Sequence, residues 1–314
     1  MLDIRQEILN LKKEKGALIL AHFYEDGEIQ ELADHVGDSY FLAETGMNSD
    51  ANIILLAGVV FMGESVKILS PDKKVIVPDL KAGCSLVTSS PFAKYKAWKD
   101  AHPNSVMMTY INSSAEVKSI SDVICTSSNA EKILKAIPKD KTILFGPDKN
   151  LGGWLSKKYG RPMELWEGTC EVHVLFTAKE LYKLKTENPD AVVIAHPECN
   201  PDVLEYAEVI GSTSRLLKEV ETNPAKKFIV ATEDGIFHQM KKLRPDVELI
   251  QAPTGTHCAC NQCPYMKLNT LEKIRNSLAT LSPEVKLAPE MIKNARVSLQ
   301  RMVDITQGKS VTWD

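Results

Sequence analysis

No stretch of this sequence approaches the roughly 20 consecutive apolar residues of a membrane span. The longest apolar run, from Ala51 to Met62, is broken by Asn52 and Gly58 and stopped by Gly63. An excess of positive charge is missing as well: 38 Lys and Arg stand against 41 Asp and Glu, a formal net charge of -3. That leaves no basic footprint for nucleic acid or anionic lipid. Sixteen Gly and 16 Pro in 314 residues are too few for a low-complexity tract. The opening Met1-Leu-Asp-Ile-Arg-Gln-Glu has no apolar signal-peptide core and reads as the start of an amphipathic helix. The expectation is a cytoplasmic globular chain of two or three domains, with neither nucleic acid nor membrane as partner.

What is present is a repeated α/β pattern. Apolar β-branched runs of five or six residues recur, most followed by ten to fifteen residues of helical spacing, as in a parallel sheet covered on both faces. Nine runs read as strands, in three groups of three: 17–20, 52–56 and 74–77; 105–109, 122–124 and 142–145; 191–194, 208–210 and 227–230. The first strand of each group ends in similar chemistry: His22 and Tyr24, Tyr110 and Asn112, His196 and Glu198. The second runs into a small-residue turn and a helix, from Phe61, Cys125 and Ile210, which puts Ser127 or Ser128 and Ser212 or Thr213 at helix N-termini. The third closes on an acid, at Asp79, Asp148 and Glu233-Asp234. Ligands of parallel sheets bind beyond the C-terminal strand ends, where all these residues fall. Three similar units around a pseudo-threefold axis would face them into one cavity, with boundaries near 1–84, 85–170 and 171–267. The tail from 268 to 314 reads as amphipathic helices packed on the first unit.

Seven cysteines, an odd number, argue against a disulfide framework and toward metal binding or catalysis for some of them. Cys84, Cys170 and Cys263 each follow the third strand of a unit, so three units deliver three thiolates. Three thiolates leave one position open on a cubane cluster or on a single metal ion. Cys125 in Val-Ile-Cys-Thr-Ser-Ser suits a buried core residue. Cys199 lies beside Glu198 without a counterpart in the other units. Cys258, Cys260 and Cys263 crowd six residues, and Cys260-x-x-Cys263 alone fits zinc, a redox dithiol or iron–sulfur ligands equally.

Ten ordered motifs carry a resemblance over nearly the whole length: AHFYEDGEIQELADHVGDS, PDLKAGCSL, MMTYINSSAEVK, VICTSSNAEKIL, LFGPDKNLGGWL, WEGTCEVH, AHPEC, IGSTSRLL, ATEDGIFHQM and CPYMKLNTLEKI. In these the chain resembles the quinolinate synthase family, iron–sulfur enzymes of NAD biosynthesis. The resemblance implies three α/β domains and a [4Fe-4S] cluster on Cys84, Cys170 and Cys263. It implies condensation of iminoaspartate with dihydroxyacetone phosphate to quinolinate, with loss of phosphate and two waters, and a transient encounter with the enzyme that makes iminoaspartate. His257 and Cys258 depart from a Cys-x-x-Cys-x-x-Cys run common in the family, leaving Cys258 and Cys260 as a candidate redox pair or as spectators.

Such chemistry needs proton shuttles and anion cradles. Tyr24 and Glu198 are the candidate acid–base pair, with His22, His196 and Tyr110 around them; Ser39, Asn112, Ser127, His173, Ser212 and Thr213 are the further substrate contacts. Two other readings keep the cysteines but change the function: an iron–sulfur hydro-lyase of the aconitase kind, and a non-enzymatic zinc-binding protein.

Overall fold

The computed structural model describes residues 3–255 and 261–313. It holds twelve strands: β1 (Ala17–His22), β2 (His35–Gly37), β3 (Ile53–Ala57), β4 (Lys74–Ile76), β5 (Ser105–Tyr110), β6 (Val123–Cys125), β7 (Thr142–Gly146), β8 (Glu164–Leu165), β9 (Val192–Ala195), β10 (Val209–Ile210), β11 (Lys227–Ala231) and β12 (Glu248–Gln251). They form three four-stranded sheets, all parallel, in one repeated order: β2-β1-β3-β4, β6-β5-β7-β8 and β10-β9-β11-β12.

Strand alternation explains why the apolar runs are continuous. Leu20, Ile54 and Leu56 face one layer of core, while Ile19, Ala21, Leu55 and Ala57 face another. In the third sheet Val193, Ala195, Ile229 and Ala231 divide from Ile194, Phe228 and Val230 in the same way. Each sheet is thus buried on both faces, and each fully buried Leu, Ile or Val contributes about 1.5–3 kcal/mol.

Register fixes what the strand ends present. His22 pairs with Gly37, Tyr110 with Cys125 and Ala195 with Ile210, each the last pair of its strands. The polar residues just beyond therefore sit side by side at the same edge of each sheet.

Two assignments from the sequence are corrected. Each unit has four strands, not three; the unrecognised ones are β2, β8 and β12, short strands at sheet edges that need no continuous apolar run. Because β2 went unseen, the helix Val60–Leu69 was placed after a second strand, whereas it follows the third, and Asp79 follows the fourth. The first unit's true counterpart of the Thr126-Ser127 and Ser212-Thr213 turns is Asp38-Ser39, which opens the helix Ser39–Asn48.

The C-terminal tail is shared between two units. The helix Leu271–Thr280 packs on Ile4–Lys15 and β3, whereas Pro289–Thr306 runs along Ala115–Ile120 and β6 and also touches Val60–Leu69. Pro at its first turn suits the start of that helix, and Ala295, Ser298, Leu299, Met302 and Val303 form its buried stripe. No helix among the described residues is long and apolar enough to cross a membrane.

Candidate active site

One cavity receives residues from all three sheets. His22 and Tyr24, Tyr110 and Asn112, and His196 and Glu198 line it, and so do Ser39, Ser127, Thr213, His173 and the three cysteines Cys84, Cys170 and Cys263.

Two imidazoles are held by the same backbone device. The N–H of Tyr24 donates to His22 Nδ1 at 3.2 Å, and that of Glu198 to His196 Nδ1 at 3.4 Å. An Nδ1 that accepts leaves the ring proton on Nε2. Burial, above all, drives both groups down to about 3, so both are neutral N–H donors at physiological pH. His196 Nε2 lies 3.2 Å from Ser127 Oγ; donating there, it leaves the serine proton free.

Glu198 is the electrostatic centre, only 3% exposed. Burial pushes its carboxyl up, but His196 and His173, with hydrogen bonds from His173 and Tyr110, outweigh that and hold it at about 2. His173 Nδ1 lies 2.9 Å from Glu198 Oε2 and 3.2 Å from Cys170 Sγ. His173 Nε2 lies 2.9 Å from Thr232 Oγ1, which is 2.7 Å from the Tyr24 hydroxyl. Burial and then the Glu198 charge raise both Tyr24 and Tyr110 well above an ordinary phenol. Asn112 Oδ1 is buried without a hydrogen-bond partner.

The small-residue turns divide by role. Asp38 caps its helix in the first unit, accepting from Phe41 N at 2.9 Å, and Ser212 caps the matching helix of the third, accepting from Arg215 N at 3.2 Å. Ser39 and Thr213 are the first residues of these ten-residue helices, where backbone N–H groups lack intrahelical partners and favour an anion. Ser212 itself does not line the cavity. Ser127 is not a cap: its helix begins at Ala130, and Asn129 Oδ1 takes Thr126 N instead.

The cysteines repeat more closely than their spacing suggested. Cys84 Sγ receives the N–H groups of Leu86 and Val87, Cys170 those of Val172 and His173, and Cys263 those of Tyr265 and Met266. Each sulfur thus takes donors two and three residues on, in a nest at the start of a short helical turn. Two acids seen in the sequence only as repeat markers hold these loops from behind: Asp148 accepts Cys170 N at 3.2 Å and Glu233 accepts Cys263 N at 3.3 Å. Cys125 and Cys199 differ. Both are fully buried, neither lines the cavity, and Cys199 Sγ donates to Ala231 O at 3.3 Å. His257, Cys258 and Cys260 lie outside the described residues.

This donor set fits a cationic metal group. Burial pushes Cys84 up to about 12, Cys263 up to about 11 and Cys170 well above an ordinary thiol, and Glu198 or Glu233 adds to the cost of each negative sulfur. Three free thiols are converged and supplied with six N–H donors, and metal coordination deprotonates such thiols outright. Cys170, His173 and Glu198 also offer ligand atoms within 4.8 Å of one another.

Sequence reasoning missed Thr232 and other buried polar groups. Lys118 is fully buried, with Nζ 5.3 Å from the Phe61 ring centroid. Glu25 Oε1 accepts from Asn269 Nδ2 at 2.7 Å. A lysine within a run such as AEVKSI gives no sign of burial, because helical periodicity does not show which neighbours cover it.

Fold and site together define an α/β protein of three like units whose strand ends line one cavity with candidate metal ligands. The family model for quinolinate synthetase A protein matches residues 6–304. The chain is 48% identical over 305 residues to a quinolinate synthase of Nostoc punctiforme, covering 97% of this chain and 94% of that protein. It is 47% identical over 307 residues to a quinolinate synthase of Chloroherpeton thalassium, covering 98% and 95%. The chain belongs to the quinolinate synthase family, as its ten motifs indicated.

Proposed function

We propose that this chain condenses iminoaspartate with dihydroxyacetone phosphate to quinolinate, releasing phosphate and two waters, and that Cys84, Cys170 and Cys263 hold a [4Fe-4S] cluster. The observation that carries this reading is the convergence of three cysteines, one after each sheet's fourth strand, each with the same pair of N–H donors, on a cavity lined by His, Tyr, Ser and Glu. When bound, such a cluster supplies a Lewis-acidic iron with an open position.

The protein's own groups bind and move protons. Neutral His22 and the Ser127 hydroxyl donate to substrate carboxylates without bringing a buried cation. Ser39, Thr213 and the helix N-termini behind them receive the phosphate and the remaining carboxylate. Glu198, ionised at neutral pH, accepts a proton, and Tyr24 and Tyr110 complete the acid–base set. Asn112 Oδ1 takes a ligand N–H or O–H. Iminoaspartate is an imine that water hydrolyses, so a cytoplasmic location and a transient encounter with its producing enzyme belong to the same proposal.

A second reading uses the Cys170, His173 and Glu198 donors for a single zinc ion; it gives Cys84 and Cys263 no role. The test is anaerobic reconstitution followed by assay of quinolinate from the two substrates. Turnover dependent on both substrates supports the proposal. Dehydration of a hydroxy acid without the triose phosphate would support a hydro-lyase instead, and a folded zinc protein with no turnover would support the binding-protein reading.

A further inference from the structure

The proposed reactants are anions, yet among the described residues no Lys or Arg lines the cavity, and Asp38, Glu198 and Glu233 stand in its wall. Two lysines lie behind that wall. Lys267 is already paired, 2.7 Å from Asp26 Oδ1 and 3.6 Å from Glu233 Oε1. Lys118 is fully buried and makes no ion pair among the described residues; its ammonium donates to Ser113 O and lies 5.3 Å from the Phe61 ring centroid. We propose that Lys118 sets the cavity's preference for multiply charged anions, acting across the Phe61 ring without touching the ligand.

Phe61 lines the cavity and Lys118 does not. The ring therefore stands between ammonium and ligand, and its π face suits the cation. Several contacts fix the lysine in place. Its helix Ala115–Ile120 begins just after Asn112 and Ser113, Glu64 Oε2 accepts Ala115 N at 2.9 Å, and Ser298 Oγ donates to Lys118 O at 2.7 Å. Burial lowers the ammonium to about 8 against the opposing pull of Glu64, so the group is a cation at neutral pH. Glu64 also offsets part of its field. With 5.3 Å from Nζ to the ring centroid and roughly 3.5 Å more to an atom in contact with the other face, the charges stand about 9 Å apart. At an effective dielectric of about 20, that attraction is worth roughly 20-fold in affinity per unit of ligand charge. The effect scales with the charge of the ligand, whereas the hold of Lys118 on Ser113 O does not.

The inference rests on the proposed reaction for the identity of its anions, and wild-type turnover tests that reading separately. The experiment measures equilibrium binding of quinolinate, a dianion, and of pyridine-2-carboxylate, which lacks the second carboxylate, to reconstituted wild type, Lys118→Met and Glu64→Gln, with iron content for each. The ratio of the two dissociation constants is compared between proteins, so that contacts common to all of them cancel. Lys118→Met is expected to weaken both anions but quinolinate more, so that the preference for the dianion falls about 5- to 20-fold with iron unchanged. Equal weakening of the two anions, the mark of a merely structural role, would overturn the inference, as would an unchanged pair of constants. Should Lys118→Met not fold, Glu64→Gln decides: with the opposing carboxylate gone, its preference for the dianion should equal or exceed that of wild type, and a lower preference would overturn the inference. Wild type that binds neither anion would overturn it too. No quinolinate formed by an iron-replete wild type that still prefers the dianion would overturn the reaction instead.

Discussion

Replacing Glu198 by Gln keeps the shape of the side chain and removes its charge. The carboxylate is almost fully buried, takes His173 Nδ1–H at 2.9 Å and a hydrogen bond from Tyr110, and sits 3.9 Å from His196 Nδ1. Charge-assisted bonds contribute about 1.5–3 kcal/mol each against 0.5–1.5 for neutral ones, so two of them lose about 2–3 kcal/mol together. At 1.4 kcal/mol per tenfold this is about 30- to 150-fold in rate. Loss of proton transfer by the carboxylate adds to it, since general base catalysis contributes on the order of 100-fold or more. Glu198→Gln should therefore lower kcat at least about 30-fold while iron per chain stays at the wild-type level, because the three cysteines are untouched. The assay is quinolinate formation with paired iron analysis on anaerobically prepared protein. Turnover within about fivefold of wild type would refute the electrostatic role given to Glu198. Loss of iron in step with loss of rate would show that the residue supports the metal group rather than the chemistry.

Other predictions follow from buried groups. Cys125→Ser should retain iron, because Cys125 does not face the cavity; iron loss there, measured by colorimetric assay, would redraw the ligand set. Burial pushes Glu25 from 4.5 up to about 8, so between those values the native state holds a proton that the unfolded chain has lost. That contribution to stability is full below about pH 4.5 and falls as pH rises, by up to about 1.4 kcal/mol per pH unit. Urea unfolding of cluster-free protein from pH 6.5 to 8, above the range in which His22 and His196 act in the opposite sense, should show this decline, and Glu25→Gln should reduce its slope, with Glu233, which burial also pushes up to about 8, supplying the remainder; an unchanged slope would place the titration elsewhere. Leu299→Ala, in the stripe that seats the last helix across two units, should cost about 2–5 kcal/mol, read as a lower urea midpoint with unchanged quinolinate formation per folded molecule.

Much of this architecture was legible because it is repeated. Parallel strands buried on both faces leave continuous apolar runs, so β1, β5 and β9 and the residues after them stood out, with His22, Tyr110 and His196 at matching ends. The edge strands β2, β8 and β12 have two to four residues and partly exposed side chains, so hydropathy did not mark them, and the first unit's strands were misaligned as a result. Spacing also singled out Cys84, Cys170 and Cys263. The N–H nests beneath their sulfurs were not legible, because backbone direction in a loop depends on turn geometry rather than residue type. Thr232 escaped for a different reason: its two partners are 208 and 59 residues away in sequence, and a lone Thr before Glu-Asp looks like an ordinary strand end.

The most direct measurement is iron and acid-labile sulfide per chain, with a visible spectrum, on anaerobically reconstituted wild type and on Cys84→Ser, Cys170→Ser and Cys263→Ser. About four irons and four sulfides in wild type, with broad absorption near about 400 nm, are the result expected of a cubane cluster, lost in each of the three variants. Zinc or a single iron in folded wild type, or a full cluster in any one variant, would contradict the assignment of these three cysteines.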